Sequence, residues 1–146
     1  MKKSILALFA VIMVFSSFAE ARIIMYANGD YNYPIWASGN RGGSTLDLRT
    51  AMIMPDTGNG QYLETCANNY FLWYDKGDGK TYENGTLQKD KYIYFREYND
   101  GSGLYYVVAE VPWDALPWKK INPDDYFDYG INDAYYLLKC RVEKKQ

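Results

Sequence analysis

Two cysteines, Cys66 and Cys140, are the side chains of this protein best suited to form a covalent crosslink. An oxidising compartment turns such a pair into a disulfide, whereas a reducing compartment keeps both thiols free. A bond between them would contribute roughly 4–5 kcal/mol in the chain-entropy model, which is comparable with the whole stability of a small domain. We predict one Cys66–Cys140 disulfide, with two free thiols or a link between chains as the alternative.

The chain contains no histidine, which excludes imidazole metal sites and nucleophiles activated by a histidine base. The remaining candidates for acid–base chemistry are carboxylate pairs, Asp124/Asp125 and Glu97/Glu110, of the kind that glycosidases use. Most exposed acidic pairs are surface charge or helix caps, and Asp124/Asp125 precedes a helical pattern. We therefore predict no catalytic residue.

Two glycine-containing segments resemble ligand-binding loops but lack the necessary side chains. The segment GNRGGST, residues 39–45, has no lysine before its serine and threonine, as a phosphate-binding loop requires. The segment DKGDGKTYENGT, which begins at Asp75, carries Gly77 and Gly79 where a calcium loop needs oxygen ligands. We predict surface loops at both places, with no metal and no cofactor.

Aromatic residues dominate the rest of the sequence, with sixteen tyrosines and four tryptophans. Tyrosine gives a large contact area at a small cost in conformational entropy, which suits a recognition surface. The alternative is cross-strand packing, with rings buried and hydroxyls in water. The candidate binding residues are Trp113, Trp118, Tyr92, Tyr94, Tyr105 and Tyr106.

The N-terminal residues predict a cleaved signal peptide over residues 1–21. Lys2 and Lys3 precede an apolar run, residues 5–15, and Ala19-Glu20-Ala21 fits a signal cleavage site. The apolar run is shorter than the ~20 residues that cross a bilayer, and no cysteine follows it to accept a lipid. We expect one exported domain, residues 22–146, in the periplasm or outside the cell. The formal net charge of −2 offers no attraction for nucleic acid.

The binding candidates belong to a sheet that alternating apolar residues predict. The predicted strands are residues 45–54, 61–74, 91–98 and 104–111. The turn segment NDGSG joins the last two as a hairpin, and Asn68-Asn69 marks a bulge. Residues 23–27 are a further candidate strand, while residues 28–44, with four glycines and a proline, predict a long loop.

The C-terminal residues change to helical spacing. Asn122-Pro123 and the acids after it predict a helix start, and Phe127, Ile131, Ala134, Tyr135 and Leu138 form one apolar stripe. We predict a helix over residues 123–139, with Gly130 as its weak point. The alternative is a final strand, in which Leu138, Cys140 and Val142 alternate with charged residues. The fold class is therefore α+β: a small antiparallel meander with a C-terminal helix packed on one face, joined through the disulfide.

This layout resembles the surface-adhesin protein E family of small exported bacterial proteins. The residues that carry the resemblance are the LDL segment at 46–48, the Trp118-Lys119-Lys120-Ile121-Asn122-Pro123 junction and the closing Cys140. The resemblance implies a single sheet with a helix on one face and a role in binding host matrix. The chain departs from the family in lacking a lipidation site and in the early position of Cys66.

These observations favour a non-catalytic binding protein of the bacterial cell envelope, adhesin-like, which presents a tyrosine-rich sheet face to a protein or glycan. The alternative is a small envelope hydrolase or hydrolase inhibitor that acts through carboxylates or the Trp113/Trp118 loop. A pocket with two converging acids would favour the enzyme. A broad aromatic face would favour binding.

Overall fold

The computed structural model describes residues 23–55, 58–74 and 85–145. The predicted signal peptide, residues 1–21, lies outside this part of the chain, and so do residues 75–84 of the surface loop predicted from Asp75. The elements are β1 (Ile35–Ser38), β2 (Gly42–Ile53), β3 (Tyr62–Tyr74), β4 (Gly85–Tyr98), β5 (Leu104–Ala109), β6 (Lys119–Lys120) and α1 (Tyr129–Glu143). Within the described ranges, none of the helices, α1 included, is long and apolar enough to span a bilayer.

The strands form one antiparallel sheet whose spatial order, β1 to β6, follows the order of the chain. This arrangement confirms the predicted meander with a C-terminal helix. The β4–β5 hairpin also lies where the turn segment predicts it, because Gly101 and Gly103 supply the positive φ angles that the turn needs. The predicted bulge is confirmed too, since the register between β3 and β4 shifts between Asn68 and Tyr70.

The long loop predicted for residues 28–44 is wrong, because this segment contains β1 and the start of β2. The glycines of this segment do not form a loop. They allow neighbouring strands to approach each other closely. A Cβ atom on Gly42 would lie 2.4 Å from the Leu72 carbonyl oxygen, and one on Gly43 would lie 2.7 Å from the Ala37 carbonyl oxygen.

The strand predicted for residues 23–27 is also wrong. It is reduced to a single bridge between Tyr26 and Pro34, next to a short turn of 3-10 helix, Ala27–Gly29.

Helix α1 packs on one face of the sheet, which we call the helix face. The ring of Tyr135 packs against that of Phe95 in β4, with the ring centroids 5.2 Å apart. The buried residues of this main core are Leu46, Leu48, Ala51, Ala67, Ile93, Phe95, Ile121, Ile131, Ala134, Tyr135, Leu138 and Val142. The stripe of α1 thus supplies the helical half of the core.

The opposite face of the sheet, which we call the loop face, carries two smaller apolar clusters. At one end Cys66, Tyr94, Val107 and Ala109 pack beneath the loop of residues 110–118. At the other end the N-terminal segment covers Ile35 and Leu72 through Ala27 and Tyr33. Because both faces are covered, aromatic residues on both sides of a strand find packing partners.

The C-terminal helix is confirmed and the alternative final strand is wrong, but the helix begins at Tyr129 rather than at Pro123. The helix begins later in the chain because of Asp128. Its buried carboxylate accepts hydrogen bonds from the Asn122 amide at 2.9 Å and the Lys119 ammonium at 3.1 Å. These bonds hold the segment before α1 in a turn followed by a short 3-10 helix, Tyr126–Asp128. Phe127 consequently lies outside the helix and is 86% exposed, so its predicted place in the apolar stripe is wrong.

The predicted Cys66–Cys140 disulfide is wrong, because both cysteines are free thiols. Cys66 is buried on the loop face, where its sulfur lies 3.4 Å from the sulfur of Met54. Cys140 is exposed on α1, which packs on the helix face. The sheet lies between the two side chains, and a disulfide requires Cα atoms within about 7 Å of each other. Packing rather than a crosslink joins α1 to the sheet.

Replacing Gly130 by alanine tests this packing. A Cβ atom at position 130 would lie 2.6 Å from the carbonyl oxygen of Trp36, so strand β1 or helix α1 has to shift. We expect the free energy of unfolding, measured with urea, to fall by about 1–3 kcal/mol through overpacking, although alanine in a helix normally stabilises by about 1 kcal/mol. Cys140→Ala, a substitution at an exposed position, is the control and should change the free energy of unfolding by less than about 0.5 kcal/mol. A stabilising Gly130→Ala substitution would contradict the close approach.

The two thiols should react differently in the native protein. Burial raises the pKa of the Cys66 thiol to about 11, so Cys66 is both inaccessible and protonated at neutral pH. Mass spectrometry after iodoacetamide treatment of the native protein should find one adduct, on Cys140, and two adducts after unfolding. Recovery of a peptide pair linked through Cys66 and Cys140 from the non-reduced protein would contradict the observed separation.

Candidate functional site

A cleft of about 680 Å³ lies on the loop face, at the end of the sheet formed by β3, β4 and β5. We call it the Arg96 cleft. Its lining combines aromatic rings with amide, hydroxyl and charged groups: Gly58, Asn59, Gln61, Tyr62, Arg96, Tyr98, Ser102, Tyr105, Asp114, Leu116, Pro117 and Trp118.

Strand register places the floor of the cleft. Tyr62 of β3 lies opposite Tyr98 of β4, and Arg96 of β4 lies opposite Tyr105 of β5. Residues two apart on a strand point to the same face, so these side chains share the loop face. The ring centroids of Tyr62 and Tyr98 are 5.1 Å apart, and those of Tyr98 and Tyr105 are 5.5 Å apart. The result is a continuous row of tyrosine rings across three strands.

Arg96 is the centre of the site, and each of its three guanidinium nitrogens donates a hydrogen bond. Nε donates to Glu64 Oε2 at 2.6 Å, Nη1 donates to Asp114 Oδ1 at 2.7 Å, and Nη2 donates to the Pro112 carbonyl oxygen at 3.1 Å. The side chains of Arg96 and Glu64 are each only 7% exposed. Arg96 thereby ties the loop of residues 110–118 to a buried carboxylate on β3.

Aromatic rings contact the same guanidinium group. Its central carbon lies 4.0 Å from the Trp118 ring and 4.6 Å from the Tyr62 ring, within the range of cation–π attraction. Burial alone lowers the pKa of Arg96, but the hydrogen bonds to Glu64 and Asp114 more than offset this effect and raise the pKa above its ordinary value. Arg96 is therefore always positively charged.

The sequence-predicted binding residues are divided between the cleft and other parts of the molecule. Trp118 and Tyr105 both line the Arg96 cleft. Trp113 lies beside it on the same loop and is 67% exposed, and its carbonyl oxygen accepts a hydrogen bond from the Trp118 indole at 2.9 Å.

The other three tyrosines have different surroundings. Tyr94 is buried under the loop face, and its hydroxyl donates to the Glu110 carbonyl oxygen at 3.1 Å. Tyr92, partly buried, packs at the edge of the same cluster. Tyr106 lies on the helix face, with its ring against Trp36. These three do not contribute to the lining of the cleft.

The central residues, Arg96, Glu64 and Asp114, are missing from the sequence-based list. A signal for two of them exists, because Glu64 and Arg96 share the parity of Tyr62 and Tyr94 on predicted strands, which places charges on a face that is otherwise aromatic. Buried opposite charges on neighbouring strands predict an ion pair. Asp114 has no such signal, since its role depends on how the loop folds.

One member of each acid pair suggested by the sequence has a structural role in the fold. Glu97 accepts hydrogen bonds from the Tyr135 hydroxyl and the Lys139 ammonium of α1, each at 2.7 Å, so it fastens the helix to β4. Asp125 accepts from the Phe127 amide at 3.0 Å. In the part of the chain that the structure describes, no group of three or more acidic and cysteine residues is placed to hold a metal ion.

A second depression, of about 920 Å³, lies between the N-terminal segment, β1 and the start of α1. Its walls include the exposed side chains of Ile23, Tyr126 and Phe127, which are 88%, 78% and 86% exposed. It is larger than the Arg96 cleft but has a more apolar lining, whereas the Arg96 cleft combines aromatic rings with a guanidinium, a carboxylate and side-chain amides. The Arg96 cleft is therefore the better candidate for a specific ligand site.

No protein-family model, curated protein or solved structure matches the chain. The likeness to the surface-adhesin protein E family stays a prediction from the sequence.

Removing the buried positive charge should destabilise the protein strongly. Arg96→Leu leaves Glu64 buried without a partner, so we expect the free energy of unfolding in urea to fall by about 3–5 kcal/mol. The double variant Arg96→Leu/Glu64→Leu should regain most of this loss, because no charge then remains buried. Asp114→Ala is the control: its side chain is 87% exposed, and the loss should stay below about 1 kcal/mol. Equal stability of the single and double leucine variants would contradict a buried ion pair.

Proposed function

We propose that this protein is an exported, non-catalytic binding module of the bacterial cell envelope, and that its Arg96 cleft holds a saccharide. The observation that carries the proposal is the row of tyrosine rings, with Trp118, around a buried ion pair in a concave site. Aromatic rings offer apolar faces to the C–H surfaces of a sugar. The hydroxyl, amide and carboxylate groups beside them match its hydroxyls.

The shape and polarity of the cleft support a saccharide over a flat protein partner. Protein interfaces centre on anchor residues that are packed closely by the partner and fully shielded from water. The rings here alternate with polar lining groups such as Gln61, Ser102 and Asp114. A pocket with a few well-placed polar groups and aromatic walls is typical of small-ligand sites.

Rigidity also supports a binding role. The guanidinium of Arg96 holds both the floor and the loop of the cleft through three hydrogen bonds. A site that is already ordered loses little conformational entropy when a ligand arrives.

The positions of the acids argue against a hydrolase. Glycosidases need two carboxyl groups about 5–10 Å apart on either side of the bond that breaks. Glu64 and Asp114 both bind the same guanidinium, and the side chain of Glu64 is only 7% exposed. Asp114 is the exposed member of the two, so this pair of carboxylates does not offer a ligand the two accessible acids that hydrolysis requires.

Glycan arrays and calorimetry with residues 22–146 test the proposal. We expect binding to at least one saccharide, with Trp118→Ala and Tyr105→Ala each weakening it at least about tenfold, a loss of about 1.4 kcal/mol. The matched control is Trp73→Ala, since Trp73 is 48% exposed at the far end of β3 and hydrogen bonds Gln88. Circular dichroism verifies that each variant is folded.

Two outcomes would overturn the proposal. One is a uniformly blank array with folded protein. The other is saccharide binding that Trp73→Ala weakens as much as the two cleft variants do.

A further inference from the structure

We infer that the Arg96 cleft selects saccharides that present hydrogen-bond donors, with ammonium-bearing amino sugars bound most tightly, neutral sugars less tightly and acidic sugars rejected. This inference rests on the proposed function and adds the chemical class of the ligand. It follows from the hydrogen bonds and ion pairs that the charged groups of the cleft already form with one another.

The positive charge in the cleft is not available to an anion. Its three nitrogens donate to Glu64, Asp114 and the Pro112 carbonyl oxygen, at 2.6, 2.7 and 3.1 Å. The Trp118 and Tyr62 rings contact the guanidinium as well. With only 7% of the Arg96 side chain exposed, a ligand carboxylate or sulfate cannot form a bidentate pair with it.

Asp114 is the charged group that a ligand meets. Arg96 uses its Oδ1 atom, yet the side chain is 87% exposed, so the carboxylate still accepts hydrogen bonds from a ligand. A sugar hydroxyl can donate to it, and a sugar ammonium can donate and also add a charge interaction. A sugar carboxylate would instead face a like charge.

The charges nearby leave a negative balance. Arg96 contributes one positive charge against the two negative charges of Glu64 and Asp114. Lys120 adds a positive charge beside the lining, with its ammonium 5.9 Å from the centroid of the Tyr105 ring. Asp100 on the adjacent turn adds a further negative charge, and its Oδ1 atom accepts from the Ser102 amide at 2.8 Å.

Calorimetry with three oligosaccharides of equal length tests the ranking. The probes are a glucosamine tetramer, its N-acetylated counterpart and a galacturonic acid tetramer, at about pH 6, where an amine is mostly protonated. We expect the glucosamine tetramer to bind about tenfold more tightly than the N-acetylated one. The galacturonic acid tetramer should bind weakest. Added salt should weaken binding of the glucosamine tetramer and leave the neutral probe unchanged.

Asp114→Asn identifies the responsible group, because asparagine keeps an acceptor oxygen for Arg96 but removes the negative charge. The preference for the glucosamine tetramer over its N-acetylated counterpart should fall to about twofold or less. Asp124→Asn, an exposed acid outside the cleft that makes the same change in net charge, should keep the full preference.

The outcomes separate the inference from the proposed function. Equal or tighter binding of the galacturonic acid tetramer would overturn the inference and leave saccharide binding intact. An undiminished preference in folded Asp114→Asn would overturn it as well. If no probe binds and the glycan array is blank, the proposed function fails, and this inference fails with it.

Discussion

The buried ion pair between Arg96 and Glu64 is the interaction on which the candidate site depends. Neither charge would be stable alone in a position that is 7% exposed, so each residue requires the other. Because they lie on neighbouring strands, the pair also depends on the register of β3 against β4. The remaining donors of Arg96 reach Asp114 and Pro112, and so convert a strand contact into the anchor of a loop. The site is thus a consequence of sheet pairing.

The two faces of the sheet have separate tasks. The helix face holds the main core, in which the stripe of α1 packs on the strands and Glu97 bonds to Tyr135 and Lys139. The loop face carries smaller clusters and the cleft. This division explains why tyrosines on adjacent positions of one strand differ in role: Tyr105 lines the cleft, whereas Tyr106 packs against Trp36. It also explains why the two cysteines do not meet.

Local patterns predicted the regular elements well. The two-residue alternation located four of the strands, the NDGSG turn located the hairpin, and the helical stripe located α1. Prediction was wrong where a residue that favours one local structure instead serves a contact between distant parts of the chain. Glycines at 42 and 43 indicate a loop, but they permit close strand contact, and Gly130 weakens a helix locally while it admits the Trp36 carbonyl. The helix start at Pro123 was wrong because Asp128 bonds back to Asn122.

The sequence by itself determined four of the strands, the C-terminal helix, the absence of histidine chemistry and the abundance of aromatic rings, because these follow from composition and short-range periodicity. Only the tertiary structure decided which of those rings gather around Arg96, that Asp114 joins them, and that Cys66 and Cys140 lie on opposite sides of the sheet. The physical reason is that a contact between distant residues depends on strand register and face, and the bulge near Asn69 resets the face of β4 relative to β3 partway along the pair.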